Sequence, residues 1–129
     1  MSFFKNIFGS SEDESTTSKM HWRELTDSGQ LNEIINESTE QPVIIFKHST
    51  RCSISRFSLK QFESEFDLED KVIPYYLDLL NHRDISNEIA IRFGIEHQSP
   101  QLILIQDGKV TYDASHDSIS VADVKRNLE

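Results

Sequence analysis

The sequence predicts an α/β domain in which a central mixed sheet is flanked by helices, in the order β-α-β-α-β-α-β-β-α. Three observations predict this fold class. Short apolar runs alternate with segments of helical periodicity through most of the chain. Asp107-Gly108, a strong hairpin signal, separates two β-rich runs near the end. Cys52, the one cysteine among 129 residues, stands where a strand pattern gives way to a helical one.

Composition is that of a single globular domain, with 36% apolar and 27% charged residues. Thirteen basic and 22 acidic residues give a net charge of −9, and no stretch combines clustered basic residues with aromatics. We therefore expect neither nucleic acid nor a membrane as a partner. One cysteine cannot form an internal disulfide, which favours a reducing cytoplasm. A monomer is the default expectation for a chain of this size.

Residues 1–20 are predicted to be a flexible N-terminal tail, and residues 21–129 the folded domain. The segment 10–19 has no large apolar side chain, so burial there cannot offset the entropy of ordering. The start of the tail permits two interpretations, a frayed end or one apolar helical turn that docks on the domain or on a partner. The apolar residues concerned are Phe3, Phe4, Ile7 and Phe8.

The first half of the domain reads as a strand, a helix and a second strand. Residues 22–25 predict a short strand, and Asp27 or Ser28 is a candidate cap for the helix that follows. One face of that helix is apolar, with Leu31, Ile34 and Ile35. Residues 43–46 are continuously apolar, which is typical of a strand buried on both faces, and we expect this central strand to lead to Cys52.

A helix is predicted directly after the thiol, from Ser53 to about Phe66, followed by a strand over residues 72–78. The apolar residues that indicate this helix are Ile54, Phe57, Leu59, Phe62 and Phe66. Pro74 cannot donate a hydrogen bond to a neighbouring strand, so we expect it at an unpaired or peripheral stretch.

The second half predicts a helix, a hairpin and a last helix. Gly94 is placed to end the first of these helices, and Ser120 with Asp123 resembles a capping box for the last one. Residues 102–106 and 109–112 form the two arms of the expected antiparallel hairpin. The helical faces are marked by Ile85, Ile89 and Phe93, and then by Val121, Val124 and Leu128.

The position of Cys52 indicates chemistry at sulfur. The first turn of a helix presents unpaired N–H groups and the positive end of the dipole, which favour the thiolate that attacks disulfides. Ser55 lies one turn later, and we assign it, with Arg51, to support of the thiolate; Arg56 adds further positive charge. The alternatives are that Cys52 is a small buried apolar residue and that both arginines are solvated surface charges.

The element order resembles the thioredoxin fold, with a cysteine at the start of the helix after the second strand and Ser99-Pro100 just before the hairpin. The segment Cys52-Ser53-Ile54-Ser55 matches the Cys-x-x-Ser motif of monothiol members. The chain is most similar to the monothiol bacilliredoxin (YtxJ-like) family, in which Thr and Pro usually flank the cysteine where this chain has Arg51 and Ser53. The segments that carry this resemblance are 46–49, 52–55, 76–79 and 99–101.

The resemblance implies that Pro100 is cis and faces Cys52. A cis Pro100 would leave the backbone of Ser99 to pair with an extended substrate, and the alternative is a simple turn proline. We assign Ser99, Pro100, Gln101 and His48 to substrate binding.

The implied activity is reduction of S-thiolated client proteins. Cys52 would take over a small thiol from a protein mixed disulfide. Because Ser55 cannot form a disulfide, a low-molecular-weight thiol must then regenerate Cys52. The resemblance implies bacillithiol as this co-substrate, with no bound cofactor, acting in the cytoplasm under oxidative stress.

Two further function classes stay open. The domain could be a non-catalytic binding module, or an iron–sulfur carrier like monothiol glutaredoxins, although those have Cys-Gly-Phe-Ser and this chain lacks the Gly-Phe pair. His48 and His97 together with Cys52 raise the possibility of a zinc site. Their spacing matches no ligand signature, so we expect no metal.

Overall fold

A computed structural model describes residues 20–128, and its elements follow the predicted order. The strands are β1 (Arg23–Glu24), β2 (Val43–His48), β3 (Ile73–Asp78), β4 (Gln101–Gln106) and β5 (Lys109–Ser115). The helices are α1 (Gln30–Glu37), α2 (Ser53–Glu65), α3 (Arg83–Phe93) and α4 (Val121–Arg126), with a short 3-10 turn at His116–Ser118 before α4. The predicted Phe-rich turn and the segment 10–19 lie outside the described residues.

The sheet is mixed, with strand order β1-β3-β2-β4-β5. β2 is parallel to β3 and antiparallel to β4, and all its residues are buried, which confirms it as the central strand. In the β2–β4 pair, Lys47 is opposite Gln101. The carboxyl end of β2 therefore meets the amino end of β4, so the chain leading to Cys52 and the residues before β4 emerge at the same end of the sheet.

Two apolar clusters cover the two faces of the sheet. The first includes Leu31 of α1 and Ile89 of α3, packed with alternate residues of β2 and β4 such as Ile45. The second joins the other face of β2, including Phe46, to Phe62 of α2. This alternation follows from the strand geometry, in which successive side chains point to opposite faces.

Two other residues of the second cluster lie near the two ends of the described residues. Val124 of α4 packs there, as its helical face predicts. Met20, which the sequence analysis places in the tail, is also buried in this cluster. The packed part of the chain therefore includes residue 20.

The inward face of α2 differs from the prediction. Ile54 and Phe57 are 59% and 68% exposed, while Ser55 and Ser58 take inward positions beside Phe62. An apolar residue every two to four positions is compatible with more than one rotation of a helix. The rotation found here is the one that pairs the serine hydroxyls with groups on neighbouring elements.

The predicted side-chain cap of α1 is wrong. The helix begins after Gly29 without a side-chain capping bond. Instead Gln30 Oε1 accepts from the N–H groups of Thr26 and Asp27, at 2.8 and 3.0 Å. The Gln30 side chain folds back and accepts hydrogen bonds from the turn before the helix, in place of the side-chain cap expected from Asp27 or Ser28.

Other local expectations are confirmed. Pro74 is in register with Ile44 of β2 on one side, and on the other side it lies outside the β1 pairing, which involves only Tyr75 and Tyr76. Gly94 ends α3 with φ of 66°, and Gly108 has φ of 77° in the hairpin turn, a region that favours glycine. Ser120 Oγ accepts from the Asp123 N–H at 3.1 Å and caps α4. No helix within residues 20–128 has the length and apolar character needed to cross a bilayer.

Candidate active site

Cys52 is the N-cap residue of α2 and is half-buried. Its backbone is extended, its N–H donates to Ser49 O at 3.2 Å, and its carbonyl accepts from the Arg56 N–H at 3.0 Å. The first turn of α2 has no acidic residue, so nothing within that turn neutralises the positive end of the helix dipole. The partial exposure of Cys52 argues against the alternative of a sealed core residue.

Ser55 is fully buried and its hydroxyl binds two groups of the loop before α2. Ser55 Oγ accepts from the Ser49 N–H at 3.0 Å and lies 2.7 Å from His48 Nδ1. These bonds fix the loop that carries Cys52 against the end of β2. Direct support of the thiolate by Ser55 stays a prediction, because the contacts of its hydroxyl are to His48 and Ser49.

His48, assigned to substrate binding, is only 4% exposed. Burial lowers the pKa of His48; the charge of Asp78 opposes this shift and that of Arg56 adds to it. His48 is therefore a neutral imidazole at neutral pH, and its Nδ1 can accept a hydrogen bond from the Ser55 hydroxyl. Its exposed edge lines a cavity of about 310 Å³ together with side chains of α2, among them Phe57 and Lys60.

Two arginines flank the thiol in the sequence. Arg51 is exposed, and Arg56 donates to Thr50 O at 3.2 Å. Residues 43–62 contain no Asp or Glu, although the chain as a whole has 22 acidic residues. The stretch of chain that carries Cys52 is thus basic in a protein of net charge −9.

The Ser99–Pro100 peptide bond is cis, and Pro100 is buried. Ser99 is partly exposed. Gln101, also assigned to substrate binding, is fully buried, and its amide binds its own loop: Nε2 donates to Glu96 O at 3.1 Å and Oε1 accepts from the Gln98 N–H at 3.3 Å. Of the three predicted residues, Ser99 is the one with partly exposed surface, and Gln101 hydrogen-bonds the loop from its buried side; substrate binding by Ser99 stays a prediction.

A connection that the sequence did not predict joins α2 to the proline loop. Ser58 Oγ donates to His116 O at 3.3 Å, and the His116 N–H donates to Pro100 O at 3.0 Å. His116 has φ of 57° and directs its backbone to both partners. The helix that begins at Cys52 and the loop that ends at Pro100 are thus joined through one residue. The one sequence signal for this connection was a polar residue, Ser58, on the inward face of the helix.

Lys47 was also missed. It is fully buried, and its Nζ lies 2.7 Å from His97 Nδ1. In the sequence, His97 stands out only as a candidate metal ligand. Within residues 20–128, no group of three or more His, Cys, Asp or Glu side chains is arranged to hold a metal ion.

Comparison with known proteins identifies the family and the fold. The model of the monothiol bacilliredoxin family BrxC matches residues 23–124. The chain belongs to this family. Its fold is the thioredoxin fold, as the solved structures below also show, and the family match covers every element of the sheet and all four helices named above apart from the last residues of α4.

Two solved structures illustrate the fold. One, described as an inferred oxidoreductase with a thioredoxin fold, is 28% identical with a TM-score of 0.68, over 82% of this chain and 92% of that chain. The other, thioredoxin from Fasciola hepatica, is 16% identical with a TM-score of 0.67, over 82% of this chain and 99% of that chain. At this second level of identity the likeness concerns the fold alone.

Proposed function

We propose that this chain is a monothiol thiol-disulfide oxidoreductase that reduces mixed disulfides between client-protein cysteines and bacillithiol. One observation carries the proposal: the one cysteine of a bacilliredoxin-family chain is half-buried at the N-terminus of α2, at the end of the sheet where the cis Pro100 loop enters β4. A half-buried thiol in this setting can be reached by a disulfide, and exchange at sulfur requires that access.

The reaction has two exchange steps. In the first, the Cys52 thiolate attacks the bacillithiol sulfur of the mixed disulfide; a new disulfide forms between Cys52 and bacillithiol, and the client cysteine leaves as a thiolate. In the second, another bacillithiol thiolate attacks this disulfide, releasing oxidised bacillithiol disulfide and the Cys52 thiolate. One thiol is oxidised in each cycle for each client cysteine that is reduced.

In this scheme the residues around Cys52 bind and orient the client segment and the thiol that is transferred. The partly exposed Ser99 offers its backbone to an extended client segment, and Arg51 and Arg56 attract anionic groups on the thiol that is transferred. Ser55 cannot resolve the disulfide on Cys52, which makes the second thiol obligatory. We expect the protein to act as a monomer in a reducing cytoplasm, without a bound cofactor.

The test measures release of bacillithiol from a purified client protein that carries it on one cysteine. Wild type should release it and acquire a bacillithiol adduct on Cys52, detectable by intact mass. Cys52→Ala should do neither, whereas Ser53→Ala, a matched change at the next residue, should retain activity. Equal release by wild type and Cys52→Ala would remove the proposal.

The same samples address the other function classes. Client binding that persists in Cys52→Ala, without release by either protein, would favour a binding module. Visible absorption of the purified protein from an iron–sulfur cluster would favour the carrier function. The absence of the Gly-Phe pair between Cys52 and Ser55 argues against that last outcome.

A further inference from the structure

Lys47 is a buried lysine that the proposed reaction does not use. It is fully buried in β2, forms no ion pair with any carboxylate among residues 20–128, and has its Nζ 2.7 Å from His97 Nδ1. Because side chains alternate along a strand, Lys47 points to the face covered by α1 and α3, away from α2. A buried ammonium without a carboxylate is costly, so its retention requires a reason.

The partner of Lys47 belongs to the loop that ends at the cis proline. His97 lies between α3 and β4, two residues before Ser99. Ser86 Oγ of α3 also lies 3.2 Å from His97 Nδ1. With Gln101 binding Glu96 O and the Gln98 N–H, side chains from β2, α3 and β4 hold this loop.

We propose that Lys47 and His97 are positioning residues, which fix the loop before Pro100 so that the backbone of Ser99 is ordered to receive the substrate. The inference rests on the proposed function, and it adds residues that act on binding of the client segment. Two consecutive residues of β2 then order the two halves of the site. His48 holds the Cys52 loop through Ser55, and Lys47 holds the proline loop through His97.

The charges on the pair are consistent with this bond. Burial lowers the pKa of Lys47 to about 8, which leaves the ammonium as the main form at neutral pH. Burial, the charge of Lys47 and the charge of Arg83 all lower the pKa of His97, so the imidazole is neutral and Nδ1 accepts from the ammonium. A charged donor makes a stronger hydrogen bond than a neutral one.

The expected defect is in substrate affinity. Without the bond, the loop must lose conformational freedom each time a client segment pairs with Ser99, and binding weakens accordingly. A hydrogen bond from a charged group corresponds to about a tenfold change in affinity. The chemistry at Cys52 should be preserved, because Lys47 and Cys52 lie on different sides of the sheet.

The experiment compares two substrates. One is a short peptide whose cysteine carries bacillithiol, and the other is a small aromatic disulfide that has no peptide backbone to pair with Ser99. For Lys47→Met and His97→Gln, the half-saturating concentration of the peptide should rise about tenfold with the limiting rate retained. The rate with the aromatic disulfide should match wild type. Ser86→Ala, which removes the longer contact, should have a smaller effect.

Other outcomes overturn the proposal. Unchanged kinetics with the peptide would show that the Lys47–His97 pair does not order the loop. An equal loss of activity with both substrates would show that the pair acts on Cys52 or on the fold. These results require a wild type that reacts with the peptide. An unreactive wild type is instead the failure of the proposed function.

A second measurement tests the contact independently of activity. An NMR titration should show that the pKa of His97 rises in Lys47→Met, because the variant removes one of the charges that lower it. An unchanged His97 titration would contradict the contact itself. Since His97 is exposed as a residue, His97→Gln provides a variant whose fold does not depend on filling a buried site.

Discussion

His48 Nδ1 and Ser55 Oγ lie 2.7 Å apart and join the last residue of the central strand to the first turn of the helix that begins at Cys52. Both residues are buried, at 4% and 0% exposure, so their polar atoms depend on each other and not on water. The bond closes the loop over residues 49–52, and the Ser49 N–H adds a second bond to the same hydroxyl. The serine of the Cys-x-x-Ser motif thus acts on the loop that carries the thiol.

Ser55→Ala should destabilise the protein by about 1–3 kcal/mol, because it leaves the N–H of the half-buried Ser49 and a buried imidazole nitrogen of His48 without their partner. Urea unfolding at neutral pH measures the loss. Ser58→Ala is the matched control on the same helix, since it removes only a 3.3 Å bond to His116 O. A smaller loss for Ser55→Ala than for Ser58→Ala would contradict the assignment.

Stability should fall on acidification below about pH 6.5, the ordinary pKa of histidine. Burial lowers the pKa of both His48 and His97 in the folded protein. The unfolded chain therefore binds protons that the folded protein does not bind. The stability present above pH 6.5 is lost as the pH falls towards the histidine pKa values of the folded protein.

Unfolding in urea between pH 7 and pH 5 checks this dependence. The slope of stability against pH should be shallower in His48→Gln than in wild type, and shallower still when His97→Gln is added. Equal slopes in all three proteins would mean that neither imidazole is kept neutral by the fold.

Lys47→Met should increase the free energy of unfolding by roughly 1–3 kcal/mol at pH 7, because the folded wild type holds a buried ammonium whose pKa is lowered from 10.5 to about 8. Between pH 8 and 10.5 the unfolded wild type keeps this proton while the folded state loses it, so wild-type stability rises with pH. The advantage of Lys47→Met should shrink over that interval. A variant less stable than wild type at pH 7 would show that the His97 bond outweighs the cost of burial.

Phe57→Ala and Phe62→Ala should differ widely although both lie on α2. Phe57 is 68% exposed, and its truncation should change stability by no more than about 0.5 kcal/mol. Phe62 is 2% exposed and packs near Phe46 and Trp22, so its truncation should cost about 3–5 kcal/mol. Thermal unfolding of the two variants measures the difference. Similar losses of stability would contradict the orientation of α2 described above.

Cys52 should react faster with an anionic disulfide than with a cationic one of similar size. The reason is the positive charge of the exposed Arg51, Arg56 and Lys60, which lie near Cys52 in a stretch without acidic residues. Stopped-flow rates with the two probes should converge as salt is added, because screening weakens the attraction. Arg51→Gln and Arg56→Gln should slow only the anionic probe by several-fold. Lys125→Gln, which changes a cation paired with Asp67, is the control.

Much of the fold was predictable because its signals are local. The apolar run at residues 43–46 marks a doubly buried strand wherever it lies in space, and Asp107-Gly108 marks a hairpin turn. The junction at Cys52 and the proline before β4 likewise follow from neighbouring residues, together with a resemblance in motif. These patterns determine the type and order of the elements, which the structure confirms.

The sequence did not determine which side chains meet across that framework. Lys47 and His97 are 50 residues apart, and Ser58 and His116 are 58 apart, so their contacts depend on strand order and on the face each element presents. The rotation of α2, with Ser55 inward and Phe57 outward, is fixed by the groups that its hydroxyls can reach. A buried polar atom is stabilised only by a partner at hydrogen-bond distance, and such partners exist only once the chain is folded.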